Sequence, residues 1–204
     1  MPELPDKIVM ASGNAGKLRE IACILAGFDI TVISQADFAV SDAIENGDTF
    51  TANAIIKARH AAIATGLPAI ADDSGLVVDA LGGKPGVHSA RYSGPGASDD
   101  SNIDKLLQEL RDVDDADRGA AFHCAACYVA QDDSEPVIAQ GEWRGVILRE
   151  RRGNGGFGYD PVFFDQEQGL SAAEMTSDQK NRRSHRGKAL AGLIQQLTQQ
   201  ARQG

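Results

Sequence analysis

The chain has 204 residues, 42% of them apolar, and a formal net charge of −9. That length can bury a substantial core without disulfides, while the acidity argues against a nucleic-acid backbone as partner, because phosphate neutralisation needs a basic surface. No apolar run approaches membrane-spanning length and Met1–Asp6 is too short and polar for a signal peptide, so a soluble, cytoplasmic protein is expected.

Lys7-Ile8-Val9-Met10-Ala11-Ser12 reads as a first strand, Gly13-Asn14-Ala15-Gly16 as a turn, and Leu18, Ile21, Ala22 and Leu25 fall at helical spacing. Ile30–Ile33 is a second strand. Residues 49–64 form an alanine-rich helix with Phe50, Ala54, Ala58 and Ala61 along one side. A strand pair is expected around Asp72 and Val77, the first member running through Leu67–Ala71 and ending in the polar turn Asp72-Asp73-Ser74-Gly75. The glycines and prolines between Gly82 and Asp100 mark a long loop. Ile103, Leu106, Leu107 and Leu110 define a short helix, and residues 119–130 and 137–148 read as two long strands joined by Gln131–Pro136. The first of these is apolar on both faces, which puts the hairpin in the middle of the sheet. A last helix starts near Ser184 with Leu190, Leu193, Ile194 and Leu197 on one stripe.

Several segments carry candidate chemistry. Asp72 and Asp73 at a strand tip suit Mg²⁺ held against a phosphorylated substrate, although such a pair is often only a solvated turn. Ser12-Gly13-Asn14-Ala15-Gly16-Lys17 brings backbone N–H groups, two glycines and a lysine to a strand-to-helix junction that attracts phosphate. It lacks the Walker A pattern, and an ordinary helix capped by Asn14 with an exposed Lys17 explains it equally well. In Gly153–Pro161, four glycines surround Phe157 and Tyr159 and precede Asp160, which favours a loop that stacks on a flat base over a plain connector.

Lys180–Lys188 is the strongest basic run. It opens a helix at Ser184-His185-Arg186-Gly187 and suits an oxyanion or a purine carbonyl oxygen, the alternative being a solvated charged face. Glu45, ahead of the alanine-rich helix, is placed to join Asp73 around a metal. Cys124 and Cys127 share a strand, and residues three apart on a strand face opposite sides, which favours burial over metal or redox chemistry.

Taken together, Ser12–Lys17, Glu45–Phe50, Ala71–Gly75, Pro85–Arg91, Gly156–Pro161 and Ser184–Gly187 resemble the inosine triphosphate pyrophosphatase family, also called dITP/XTP pyrophosphatases, over nearly the whole chain. The resemblance implies an α/β fold: a long central mixed sheet flanked by helices, in one domain over residues 1–204 whose two lobes have the active-site cleft between them. It also implies a homodimer, Mg²⁺ dependence, and hydrolysis of ITP, dITP or XTP to the monophosphate plus pyrophosphate. By the same resemblance Asp73 is the catalytic base and a metal ligand, with Glu45 as second ligand. Ser12, Gly13, Asn14, Ala15, Gly16, Lys17 and Ser74 correspond to triphosphate contacts. Phe157, Gly158, Tyr159, Asp160, Lys180, His185 and Arg186 correspond to other substrate contacts. Two alternatives stay open: a Maf-type nucleotide pyrophosphatase, whose expected Ser-Pro-Arg-Arg is here Asn-Ala-Gly-Lys, and a sensor that binds a triphosphate without cutting it.

Overall fold

A computed structural model of the chain describes residues 5–26, 30–130 and 134–203. The strands are β1 (Lys7–Met10), β2 (Thr31–Ser34), β3 (Ala69–Val78), β4 (Gly119–Val129), β5 (Val137–Ile147), β6 (Phe163–Asp165) and β7 (Leu170–Ser171). The helices are α1 (Ala15–Leu25), α2 (Phe50–Thr65), α3 (Asp99–Glu109), α4 (Ser177–Arg183) and α5 (His185–Gln203). One open seven-stranded sheet runs in the order β2-β1-β3-β4-β5-β6-β7. It is mixed: β1 pairs in parallel with β2 and β3, whereas β5–β6 and β6–β7 are antiparallel. β4 occupies the middle of this order, in line with its apolar composition on both faces. Most of the expected connector between β4 and β5, Gln131–Asp133, lies outside the described residues, as do Met1–Leu4.

The chain divides into two compact units, one made of residues 1–73, 124–141 and 185–204 and the other of 74–123 and 142–184. In the first unit, strand alternation sorts the core into two layers. Ile8, Met10, Ile70, Cys124 and Ala126 pack with Ile21 and Leu25 of α1 and with Leu190, Leu193, Ile194 and Leu197 of α5. Val9, Ala69, Ala71, Ala125 and Cys127 pack against Ala54, Ala58, Ala61 and Ala62 of α2. Cys124 and Cys127 are thus buried in different layers. In the second unit Phe122, Trp143 and Phe163 form the aromatic centre of a core completed by Leu76, Ile103, Leu106 and Tyr159. No helix among the described residues is long and apolar enough to cross a membrane.

Two local expectations need correction. β3 does not stop at Ala71, and no strand pair flanks a turn there: Asp72 and Asp73 lie inside one ten-residue strand that continues to Val78. The strand carries two carboxylates through its interior because each finds a cation, as described below. The expected position holds in a different sense. β1 ends at Met10, paired with Ile70, so the two aspartates stand just past the carboxyl edge of the parallel strands, where α/β sheets bind ligands.

The basic run does not simply open one helix either. Lys180–Arg183 close α4, which starts with a capping box between Thr176 and Gln179. Ser184 then takes an extended conformation (φ −64°, ψ 153°) before α5 begins at His185.

Candidate active site

Adjacent residues on a strand point to opposite faces, and the aspartate pair is divided accordingly. Asp72 faces α1 and α5. Its Oδ2 lies 3.1 Å from Lys17 Nζ and accepts from Arg186 Nε at 3.1 Å. The Cys124 thiol sits 3.9 Å from the same oxygen. Arg186 also donates to Glu20 of α1. Asp72 and Arg186 are 1% and 2% exposed, so this pair is removed from water. Burial by itself would push the Asp72 carboxyl up; Lys17 and Arg186, joined by Lys57, outweigh it and hold the group well below the usual carboxylate range. Burial lowers Arg186, yet Asp72 and Glu20 more than restore it, so it stays charged. Three segments distant in the sequence, the first turn of α1, β3 and the start of α5, therefore meet at one carboxylate.

The turn itself is organised from within. Asn14 caps α1, its Oδ1 accepting from the N–H groups of Gly16 (2.8 Å) and Lys17 (3.1 Å), while Ser12 Oγ accepts from Asn14 N–H at 3.1 Å. The expected cap is present. Lys17, however, is not a solvated surface lysine, because its ammonium is engaged by buried Asp72. Gly13, Asn14 and Ala15 are exposed, and Ser12 and Gly16 half-buried.

Asp73 faces the other way, towards α2. Lys57 Nζ lies 2.8 Å from its Oδ1 and 3.3 Å from Glu45 Oε1, and Asn53 Nδ2 donates to its Oδ2 at 3.2 Å. Burial pushes the Asp73 carboxyl up, and Lys57, the strongest opposing influence, does not cancel this. Burial likewise tends to lower Lys57, but Asp73 and Asp72 overcome it and raise the ammonium. An elevated carboxyl makes Asp73 a better proton acceptor than an exposed aspartate.

Glu45 and Asp73 direct oxygens at a single cationic point, and two carboxylates against one ammonium leave the cluster one negative charge in excess. Mg²⁺ is typically held by one or two carboxylates together with phosphate oxygens and waters. This donor set fits it. Among the described residues no group of three or more His, Cys, Asp or Glu side chains is placed to bind a metal without such help.

The second unit holds the aromatic glycine segment. Asp160, 3% exposed, accepts from Phe157 N–H at 2.9 Å and from Lys180 Nζ at 2.6 Å, and Lys180 Nζ also sits 4.6 Å from the centre of the Phe157 ring. Gly158 N–H donates to Asp99 at 2.6 Å, and the Tyr159 hydroxyl donates to Ser89 O at 2.8 Å. Gly156 has φ +73°, and a Cβ there would stand 2.0 Å from Asp160 Oδ2. Only glycine lets the turn close over that carboxylate.

Phe157, Gly158, Tyr159, Asp160 and Lys180 are therefore one assembly. Ser74, half-buried on β3, lies in the same unit, whereas His185 and Arg186 are buried at the start of α5 in the first unit. Of the basic run, Arg182 and Lys188 are exposed, and Lys180, Arg183 and Arg186 are held by carboxylates.

Asn53, Lys57 and Glu20 escaped the sequence reading. The first two stand at i and i+4 on α2, polar residues on a helix otherwise lined with alanine, and that spacing was the available signal. Glu20, three residues after Lys17 on α1, had only its position to mark it.

Residues 8–196 match the model of the Ham1 family. The chain is 55% identical over 192 residues to the dITP/XTP pyrophosphatase of Salmonella paratyphi A, covering 94% of this chain and 98% of that protein. It is 53% identical, over the same shares, to the dITP/XTP pyrophosphatase of Escherichia coli K12. The solved structure of a HAM1 protein from Coxiella burnetii superposes with a TM-score of 0.86 at 49% identity, over 95% of this chain and 98% of that one.

Proposed function

The chain belongs to the Ham1 family, and we propose that it is a nucleoside triphosphate pyrophosphatase that hydrolyses ITP, dITP and XTP to the monophosphate and pyrophosphate. The observation that carries the reading is the Asp73 cluster: a buried carboxylate with a raised carboxyl, beside a second carboxylate and a lysine, at the edge of the parallel strands. The similarity to proteins named dITP/XTP pyrophosphatase supports the choice of reaction.

Asp73 takes the proton of the water that attacks the α-phosphorus in line, and pyrophosphate leaves. Asp73 and Glu45 are the residues that hold Mg²⁺, which supplies neutralisation of the phosphate charge. Lys17 lies at the start of α1 with its side chain 15% exposed and turns its ammonium from Asp72 towards the leaving pyrophosphate. Ser12–Gly16 and Ser74 are assigned to the triphosphate, and Phe157–Asp160, Lys180 and His185 to the rest of the substrate.

Base choice follows from hydrogen-bond chemistry. Hypoxanthine and xanthine carry a carbonyl acceptor at the purine 6-position where adenine carries an amino donor. A buried N–H facing that position rejects adenine by up to ~10⁴-fold, since donor would face donor. Arg186 was one candidate for this N–H. Its engagement by Asp72 and Glu20 favours a backbone N–H. A homodimer and a role in clearing the nucleotide pool, which rest on the resemblance alone, complete the reading, together with the cytoplasmic location expected from the sequence.

The test is to incubate the protein with Mg²⁺ and separately with ITP, dITP, XTP, ATP and GTP and to resolve the products. Pyrophosphate and monophosphate from the first three are expected, and Asp73→Asn should abolish turnover while nucleotide binding largely survives. Release of inorganic phosphate, or full activity in Asp73→Asn, sinks the proposal.

A further inference from the structure

Asn53 is 1% exposed and bonded at both ends of its amide. The N–H of Gly47 donates to its Oδ1 at 2.8 Å, and its Nδ2 donates to Asp73 Oδ2 at 3.2 Å. The amide orientation is dictated by its partners: a backbone N–H can only donate, so the carbonyl end must face Gly47 and the NH₂ end must face the carboxylate. Gly47 lies two residues from Glu45 in the segment leading into α2. A Cβ on Gly47 would stand 2.7 Å from Asn53 Oδ1 and 2.8 Å from the Ala52 Cβ, so the segment approaches α2 this closely only with glycine there. Asn53 itself is fixed by the first turn of the helix, its N–H bonded to Thr49 O at 3.1 Å.

From this geometry we infer that Asn53 is a positioning residue: its amide ties the Glu45 segment to Asp73 and sets the two proposed metal-binding carboxylates in register. The inference rests on the function proposed above and extends it to a residue given no substrate contact there. Lys57 already joins Asp73 to Glu45 through charge, but an ammonium on a flexible stem has no directional preference. The planar amide supplies the direction, one acceptor and one donor at fixed separation.

The experiment compares the parent with Asn53→Ala, Asn53→Asp, Gly47→Ala and the Asn53→Ala/Gly47→Ala double variant. The readouts are kcat and KM on ITP, Mg²⁺ affinity of the nucleotide-free protein by calorimetry, and the thermal midpoint. Loss of a partner that orients ligands typically costs about 10- to 100-fold in metal affinity or activity. Asn53→Ala is expected to lose kcat and Mg²⁺ affinity in that range with KM within about threefold, because the interaction orients the reacting groups without touching the nucleotide. Asn53→Asp keeps the size and the acceptor for Gly47 but turns an oxygen on Asp73, and should lose at least as much kcat as Asn53→Ala.

Gly47→Ala breaks the same link from the other side. The double variant should lose clearly less than the product of the two single losses, since the two changes share one interaction and only the Cβ contact of residue 47 with Ala52 is left to add to Asn53→Ala. A lowered thermal midpoint with kcat and Mg²⁺ affinity unchanged overturns the inference, as does full additivity. If the parent does not hydrolyse ITP, the proposed function falls, while calorimetry still decides the role of Asn53: equal Mg²⁺ affinity in parent and variants refutes it.

Discussion

Replacing Asp72 by asparagine keeps the side-chain shape and deletes one charge, which isolates the electrostatic part of its role. The two cations facing it are unequal. The Lys17 side chain is 15% exposed and can turn its ammonium to water, whereas the Arg186 side chain is 3% exposed and cannot. Removing one partner of a buried pair costs about 3–5 kcal/mol, mostly from the charge left behind. Because Glu20 continues to pair with Arg186, the loss belongs at the lower end, about 3 kcal/mol. With a urea m-value of about 2–3 kcal/mol/M, the unfolding midpoint followed by far-ultraviolet circular dichroism should fall by roughly 1–1.5 M.

The pH dependence gives a second check. The folded carboxyl is held below its usual range by Lys17 and Arg186 despite burial, so the unfolded state, titrating near about 3.9, binds the proton first. The stabilisation is therefore fully present above about pH 5 and is lost as pH falls from there through the folded value. The gap between parent and variant should be flat from pH 8 to about 5 and narrow below it. A gap under about 1 kcal/mol at pH 7, or one that widens in acid, would refute the assignment of Asp72 as the ionised centre of this network.

Two further outcomes follow from the same geometry. Lys57→Met removes the main influence opposing the elevation of Asp73; a base must be ionised to accept a proton, so the acid limb of kcat/KM should move to higher pH, and a limb that stays put or moves down contradicts the role given to Lys57. Gly156→Ala forces a Cβ to within 2.0 Å of Asp160 Oδ2 at a φ of +73°, displacing the carboxylate from Phe157 N–H and Lys180, so KM for ITP should rise by about tenfold with kcat changed less, and a KM within twofold of the parent would count against Phe157 and its neighbours as substrate contacts.

What could be read from sequence was whatever is encoded by neighbours. Asn14 declared itself as a cap because its partners are two and three residues away, the stripe of Leu190, Leu193, Ile194 and Leu197 declared α5 by its period, and β4 by its apolar faces. The continuity of β3 could not be seen that way. An Asp-Asp-Ser-Gly run ends a strand unless something far along the chain neutralises it, and here that something is Lys17, Lys57 and Arg186. The interruption at Ser184 was accessible in principle, since Thr176 and Gln179 have capping-box spacing, but the adjoining positive charges read as one block. Asn53 and Lys57 were hidden by the alanines around them: a helix with so small a core face suggested close packing and drew attention from the two polar groups it presents to β3.

The period of a β-strand also explains why two neighbouring aspartates are not interchangeable. On the α1 and α5 face, Asp72 and Glu20 meet Lys17 and Arg186, two charges of each sign, in a network closed by direct contacts. Nothing there calls for another cation, and a proton is held off by the balance. On the α2 face, Lys57 is the one cation among the described residues in direct contact with Asp73 and Glu45. The residual negative charge suits the divalent cation of the proposed function, and the elevated carboxyl suits a proton acceptor. The fields overlap, since Lys57 also acts on Asp72, but the direct contacts do not, and it is these that leave Asp72 firmly ionised and the Asp73 carboxyl raised. One residue of separation along the strand turns a charge pair into a fixed anchor and the proposed base, and it sets that base against α2, where Asn53 bonds it.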